Sequence, residues 1–264
     1  MTSLTKNETG YIDQYHKTGV LFPFRVLTGD ETAEFRKEFE LVEHAFGGQL
    51  SYAGNMHLSL AWAFDLVMQP AILDHVAPLL GGEVAVNGSL MLTKYPKTNN
   101  YVSWHQDGIN SKWNEEHSLT VWFALSNSNN QNGCMRVIPG SHKESKQDHV
   151  FFNDDKNMLR NSHKITSAID ESKAIDLDLL AGEISIHHDN IVHGSGVNNS
   201  LTKRIGFAIR YTNPNYSGSN GPVVYARVVG DRPIAKTIVR PAEFRQKYNA
   251  LLYREFLEKN IVLK

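Results

Sequence analysis

The chain has 264 residues, 41% of them hydrophobic and 21% charged, which suits a globular fold with a sizeable core and not a disordered polyelectrolyte. A formal net charge of −1, with no long run of Lys or Arg, disfavours a nucleic-acid or anionic-membrane surface. The single cysteine, Cys134, excludes an internal disulfide, the stretch Met1 to Gly19 lacks an apolar signal core, and no run approaches the roughly 18 apolar residues of a spanning helix. A soluble, cytoplasmic protein is expected.

In chain order, residues 1–27 read as a polar lead followed by the short apolar stretch Val20 to Phe24. Thr28 and Glu31 have capping-box spacing, Phe35, Phe39, Val42 and Phe46 recur at helical intervals, and Gly47-Gly48 ends that first helix. A second helical zone covers about 59–80, with Pro70 restarting it and Gly81-Gly82 closing it. From residue 83 the pattern changes to short strands at Glu83–Thr93, Ser118–Leu125, Met135–Ile138, Ala174–Leu180, Glu183–His188 and Ile205–Thr212. Gly, Asn, Pro and Ser clusters separate them, and Ser126 to Gly133 reads as a turn. This alternation predicts a mainly β jelly roll and not a parallel α/β sheet. Ser141 to Lys173 is the longest polar stretch. Its length suits a lid, and its His142, His149 and His163 read as solvated histidines, not a second metal site. Pro241 starts a terminal amphipathic helix with Phe244, Tyr248, Leu251 and Phe256 on one face. One domain over 1–264, with its core at about 83–213, is expected.

The chemistry concentrates in Trp104-His105-Gln106-Asp107-Gly108. On an extended chain His105 and Asp107 point to one side, so both can reach one metal ion. His193, in Val192-His193-Gly194-Ser195, is the best third ligand. Two imidazoles and one carboxylate with open positions make the facial triad of non-haem Fe(II) oxygenases. With twelve histidines in the chain a chance His-x-Asp is plausible, so the surrounding residues must decide. Arg204, at the start of a strand, can grip a carboxylate by two parallel hydrogen bonds or be a surface charge, and Ser195 can add a hydroxyl.

Four blocks in order carry a resemblance. They are Trp104-His105-Gln106-Asp107, Val121-Trp122-Phe123-Ala124-Leu125, Gly133-Cys134-Met135-Arg136-Val137-Ile138-Pro139-Gly140-Ser141-His142, and His193-Gly194-Ser195-Gly196 followed by Arg204. Together they resemble the phytanoyl-CoA dioxygenase family, Fe(II)- and 2-oxoglutarate-dependent oxygenases built on a double-stranded β-helix. The resemblance implies a cupin-like jelly roll with flanking N-terminal and C-terminal helices. It implies that His105, Asp107 and His193 hold Fe(II), and that Arg204 binds the distal carboxylate of 2-oxoglutarate beside Ser195, with Trp122 and Thr93 near it. With O₂ as co-reactant, the implied outcome is hydroxylation of an unactivated C–H bond of a small polar metabolite, releasing succinate and CO₂. An amino acid, an aminophosphonate and a natural-product intermediate are the candidate substrates. Desaturation or cyclisation can follow the same hydrogen abstraction. Related halogenases replace the carboxylate ligand by Ala or Gly; Asp107 is present, which favours hydroxylation. By position, Asn87, Ser89, Asn110 and Trp113 are candidate substrate contacts, and Arg210 can grip a substrate anion or, alternating with Ile209 on its strand, face solvent. His187 and His188 read as hydrogen-bonded core or ligand-supporting residues. A zinc hydrolase and a non-catalytic binding jelly roll are the rival readings; the first leaves Arg204 without a task.

Overall fold

The computed structural model describes residues 6–58, 60–110, 115–159, 162–216 and 224–227. It opens with a helix, α1 (Lys6–Thr18), where the sequence suggested only a polar lead. Tyr15 is its buried anchor, and Tyr11 Oη donates 3.0 Å to the His75 carbonyl. Two aromatic contacts on a polar helix are a weak periodic signal, which is why composition hid it. The apolar stretch after it is a strand, β1 (Val20–Arg25). Helix α2 (Gly29–Phe46) begins as its sequence predicts: Thr28 N donates to Glu31 Oε2 at 2.8 Å and Glu31 N to Thr28 Oγ1 at 3.3 Å, and Gly47 ends it in the left-handed region at φ 91°. The second helical zone is two helices, α3 (Ala61–Val67) and α4 (Pro70–Leu80), the latter with Pro70 in its first turn and Gly81 at φ 78°.

The remainder is antiparallel β. The major sheet contains β1, β2 (Tyr52–Gly54), β3 (Val84–Lys94), β5 (Ser118–Ala124), β10 (Glu183–His188), β12 (Arg204–Thr212) and β13 (Val224–Arg227). Its order is β1-β10-β5-β12-β3-β13, with β2 also on β3. The minor sheet is β4 (Val102–His105), β11 (His193–Ser195), β6 (Arg136–Val137) and β9 (Ile175–Asp176), in the order β4-β11-β6-β9. This is the mainly β, cupin-type jelly roll the sequence predicts. The strand expected over 174–180 shrinks to two residues, because Leu177 and Leu179 turn into a core instead of continuing the ladder. The expected helix after Pro241 lies outside the described residues.

Two cores flank the major sheet. Val84, Val86, Met91, Leu119, Val121, Phe123, Ile184, Ile186, Ile205, Phe207, Ile209 and Tyr211 pack against Phe39, Val42, Trp62, Leu66, Ile72, Val76 and Leu80 of the helices. A smaller core between the sheets joins Trp122 and Ala124 to Met135, Val137, Leu177, Leu179 and Ile191. Since strand side chains alternate faces, each central strand feeds both cores.

The polar stretch 141–173 is not an open loop. It holds a hairpin of β7 (His149–Phe151) and β8 (His163–Ile165). Ser103 Oγ, beside the hairpin, donates 2.5 Å to the His163 carbonyl, and Met158 N donates 2.8 Å to the Tyr101 carbonyl. These bonds fasten the segment to β4.

Candidate active site

His105 ends β4 and His193 begins β11, and the two residues face each other in the ladder. The β-sheet pairing itself therefore brings together two histidines far apart in sequence. Asp107 is not on a strand continuing from His105: it opens the 3₁₀ turn Asp107–Asn110, and Gln106 is the joint. Gln106 is fully buried and fixed on three sides. Its Nε2 donates 2.7 Å to the Asn190 carbonyl, its Oε1 accepts from Gln147 N at 2.8 Å, and its N donates to His149 Nε2 at 3.2 Å. The strand alternation expected for His105 and Asp107 thus gives way to a turn, yet the ligand atoms of His105, Asp107 and His193 all lie within 4.8 Å of one another.

The donor chemistry of this cluster fits a metal. Nδ1 of His105 lies 2.8 Å from the Ser103 carbonyl and Nδ1 of His193 lies 3.0 Å from the Ile191 carbonyl. A carbonyl only accepts, so each Nδ1 carries the proton and each Nε2 is left as a lone pair. Burial, and then the neighbouring His105 imidazole, holds the His193 pKa well below its usual range, so its ring is neutral. Burial pushes the Asp107 carboxyl up, but the Arg210 guanidinium and the His105 imidazole outweigh it and keep the group ionised. Arg210 Nη2 stands 3.3 Å from Asp107 Oδ2, and Thr120 Oγ1 donates to the same oxygen at 3.4 Å.

The cluster lines a cavity of about 380 Å³ whose far end is cationic. Arg204 is 1% exposed, not a surface charge. One of its nitrogens, Nη1, donates 3.0 Å to the Gly133 carbonyl, while Nε and Nη2 are buried with no partner among the described residues. Its guanidinium carbon lies 4.8 Å from the centre of the Trp122 ring, and burial pushes its pKa down to about 10, which leaves it charged at neutral pH. Beside it lies a residue that sequence reasoning passed over. Lys94 is fully buried, donates 2.5 Å to Ser195 Oγ and also bonds the Gly196 carbonyl. Burial, then Arg204, depresses its pKa strongly. The open guanidinium donors of Arg204, with the Lys94 ammonium fully bonded to Gly133, Ser195 and Gly196 beside them, are complementary to a carboxylate. The signal for Lys94 was available in the alternation Leu92, Lys94, a lone charge on the cavity-facing side of a buried strand.

Other expectations divide. Ser195, Trp122, Asn87, Ser89 and Arg210 line the cavity. Thr93 does not: it faces away from Lys94 on β3, buried, with Oγ1 unpartnered. Ser89 is engaged by His57, Nδ1 to Oγ 2.7 Å. Arg210 is half-buried in the cavity wall and paired with Asp107. Of Asn110 only the backbone is described, in the turn after Asp107, and Trp113 lies outside the described residues. His187 is 2% exposed in the cavity wall, with neither ring nitrogen hydrogen-bonded among the described residues, and its Nε2 stands 3.8 Å from Asp107 Oδ2, beside the ligand cluster. His142, His149 and His163 are half-buried and not solvated. The His163 ring lies 5.6 Å from that of His105, and burial together with that neighbour lowers its pKa to about 4.

Comparison with known proteins agrees with this geometry. Residues 15–206 match the family described as phytanoyl-CoA dioxygenase (PhyH). A probable alpha-ketoglutarate-dependent hypophosphite dioxygenase of Stutzerimonas stutzeri is 30% identical over 159 residues, 60% of this chain and 55% of that protein. The chain spans about half the length of the curated relatives it matches. Among solved structures, the apo form of a non-haem monooxygenase, ThoJ, is 27% identical with a TM-score of 0.73, covering 95% of this chain and 98% of that one. The non-haem alpha-ketoglutarate-dependent carbocyclase SnoK, at 24% identity and a TM-score of 0.63 over 80% of this chain and 85% of its own, shares the fold.

Proposed function

For a chain that belongs to the phytanoyl-CoA dioxygenase family, we propose an Fe(II)- and 2-oxoglutarate-dependent oxygenase that hydroxylates an unactivated C–H bond of a small polar metabolite. The observation that carries this reading is Arg204: a buried guanidinium with Nε and Nη2 unpartnered, in the cavity that also holds the His105, Asp107 and His193 cluster. The hydrolytic reading gives Arg204 no particular task.

His105, Asp107 and His193 would hold Fe(II), which would supply the redox chemistry that links O₂-dependent oxidation of the substrate to decarboxylation of 2-oxoglutarate into succinate and CO₂. The chain's own residues supply placement. The Ser103 and Ile191 carbonyls hold the two imidazoles in the tautomer that presents Nε2. Arg210 and Thr120 hold Oδ2 of Asp107, which fixes the rotation of the carboxylate. Arg204 receives the distal carboxylate of the cosubstrate through its two open donors. Ser195 accepts from Lys94, so its own hydroxyl proton is free to be donated to the same carboxylate. Trp122, Met135 and Val102 wall the cavity with apolar surface and keep water from the reacting groups.

The test is anaerobic. Metal-free protein receives Fe(II), then 2-oxoglutarate, while the visible spectrum is recorded. A weak charge-transfer band that is lost in Arg204→Ala is the expected result. His105→Ala keeps its fold by circular dichroism but loses O₂-dependent succinate release by on the order of 10³-fold or more. Absence of the band, with Zn²⁺ bound in its place, sinks the reading.

A further inference from the structure

The register of the major sheet arranges the cavity wall in rungs. His187 pairs with Thr120, Thr120 with Arg210, and Arg210 with Gly88. The next pair along β12 is Tyr211 with Val86, so Asn87 is the additional residue of a β-bulge. Bulges re-aim a side chain beside a site. Here the Asn87 side chain lines the cavity with its amide nitrogen and oxygen both buried and both without a partner among the described residues. His187, on the same rung, has two unpartnered ring nitrogens; its Nε2 lies 3.8 Å from Asp107 Oδ2, beyond a hydrogen bond. Arg210 is paired to Asp107, yet 34% of its side-chain surface stays open.

Buried polar atoms in folded proteins are nearly always paired. A rung that leaves a carboxamide and an imidazole unpaired beside an open guanidinium is therefore complementary to something that binds there. It lies at the opposite end of β12 from Arg204, so one carboxylate seat does not account for both. The charges give the class of ligand. Two cavity-facing guanidiniums and a divalent ion, set against the Asp107 carboxylate and a dianionic cosubstrate, leave one positive charge unbalanced. The buried Lys94, beside Arg204, and the buried Asp189, near Arg210, add one charge of each sign and leave that sum unchanged.

We propose that the rung of Asn87, Arg210 and His187 is the substrate-recognition site and that the substrate is a small anion. Arg210 binds its acidic group, and the Asn87 carboxamide gives and accepts one hydrogen bond with a polar group next to it. The proposal rests on the oxygenase reading for the other end of the cavity.

Protein loaded anaerobically with Fe(II) and 2-oxoglutarate is titrated calorimetrically with straight-chain carboxylates and phosphonates, and with the matching amides and alcohols. At least one anion binds about tenfold or more tightly than its uncharged counterpart. Arg210→Gln removes that preference, and Asn87→Ala weakens the anion about tenfold while 2-oxoglutarate affinity stays at the wild-type value. Equal binding of charged and uncharged partners, failure of every anion to bind, or an anion affinity untouched in Asn87→Ala overturns the proposal. Because Arg210 also braces Asp107, the Asn87 variant decides if Arg210→Gln loses Fe(II). A prior 2-oxoglutarate titration separates the two readings. No Arg204-dependent cosubstrate binding sinks the oxygenase assignment, whereas normal cosubstrate binding without anion preference sinks only the rung.

Discussion

Along β12, Ile205, Phe207, Ile209 and Tyr211 pack toward the helices, while Arg204, Ala208 and Arg210 turn toward the cavity. On β5, Leu119, Val121 and Phe123 stand against Thr120 and Trp122 in the same way. Burial alone does not separate Phe207, 0% exposed, from Arg204, 1% exposed. Satisfaction of polar groups does. On the helix side of β12 and β5 the one polar side-chain atom, the Tyr211 hydroxyl, is paired, donating 2.8 Å to the Val67 carbonyl, although Thr93 Oγ1 on β3 and Trp62 Nε1 on α3 are left open on that side. On the cavity side Arg204, Asn87 and His187 are left with open atoms. The helix-side face stabilises the fold, and the cavity face carries a standing cost that a ligand can relieve.

Exchanging one residue from each face gives the largest expected contrast. Phe207→Ala lowers the stability of the fold by about 3–5 kcal/mol, read as a drop in the urea midpoint, and leaves the 2-oxoglutarate affinity of the folded protein within about twofold. Arg204→Met does the reverse. It raises the 2-oxoglutarate Kd by about 10²-fold, since charge-assisted bonds are lost, and leaves the midpoint unchanged or higher, since a poorly satisfied buried cation is gone. A midpoint drop in Arg204→Met as large as that of Phe207→Ala would make the guanidinium a structural group and erase the contrast.

Gly206 is where the cavity face needs a missing side chain. A Cβ there would sit 1.8 Å from the Trp122 ring. Trp122 lies flat across the sheet because Gly206 makes room, and Arg204 rests on its ring. Gly206→Ala must displace the indole, at a cost of about 1–3 kcal/mol, and should weaken 2-oxoglutarate with no change in metal affinity. Wild-type cosubstrate binding in this variant would show that the stacking on Trp122 does not position Arg204.

Much of this was legible in the sequence. The capping box at Thr28, the glycine stops after Phe46 and Leu80, and the strands around β3, β5, β10 and β12 follow from local patterns, because each is decided by residues a few positions apart. His105, Asp107, His193 and Arg204 were named from spacing and resemblance. The partners of these residues were not legible. That Arg210 holds Asp107, that Lys94 reaches Ser195, and that Asn87 is a bulge all depend on register between strands distant in sequence. Two strands of alternating character show which residues share a face, not which stand opposite each other. The hairpin at 149–165 was hidden for the opposite reason. Its strands are three residues each, with the apolar Val150 and Phe151 exposed, and it is held beside β4 by bonds at Ser103 and Tyr101 and not by a buried apolar pattern.

His57 sits where the two faces meet and gives the smallest of these effects. It lies in the 3₁₀ turn Met56–Leu58, 2% exposed, with Nδ1 2.7 Å from Oγ of the cavity residue Ser89. Burial pushes its pKa down to about 4, against about 6.5 in an unfolded chain. The folded state therefore resists a proton that the unfolded state accepts, and the stability this contributes is complete above pH 6.5 and falls as pH drops. Between pH 7.5 and pH 5 the loss is about 2 kcal/mol; it continues to about pH 4 and then levels off. His193, also buried and neutral, adds acid sensitivity of its own, so the test is a difference: urea midpoints of metal-free wild type and His57→Gln across that range. The variant should lose about 2 kcal/mol less than wild type on acidification. Parallel curves would mean that His57 takes up its proton without unfolding, and that the polar edge of the cavity face extends to include it.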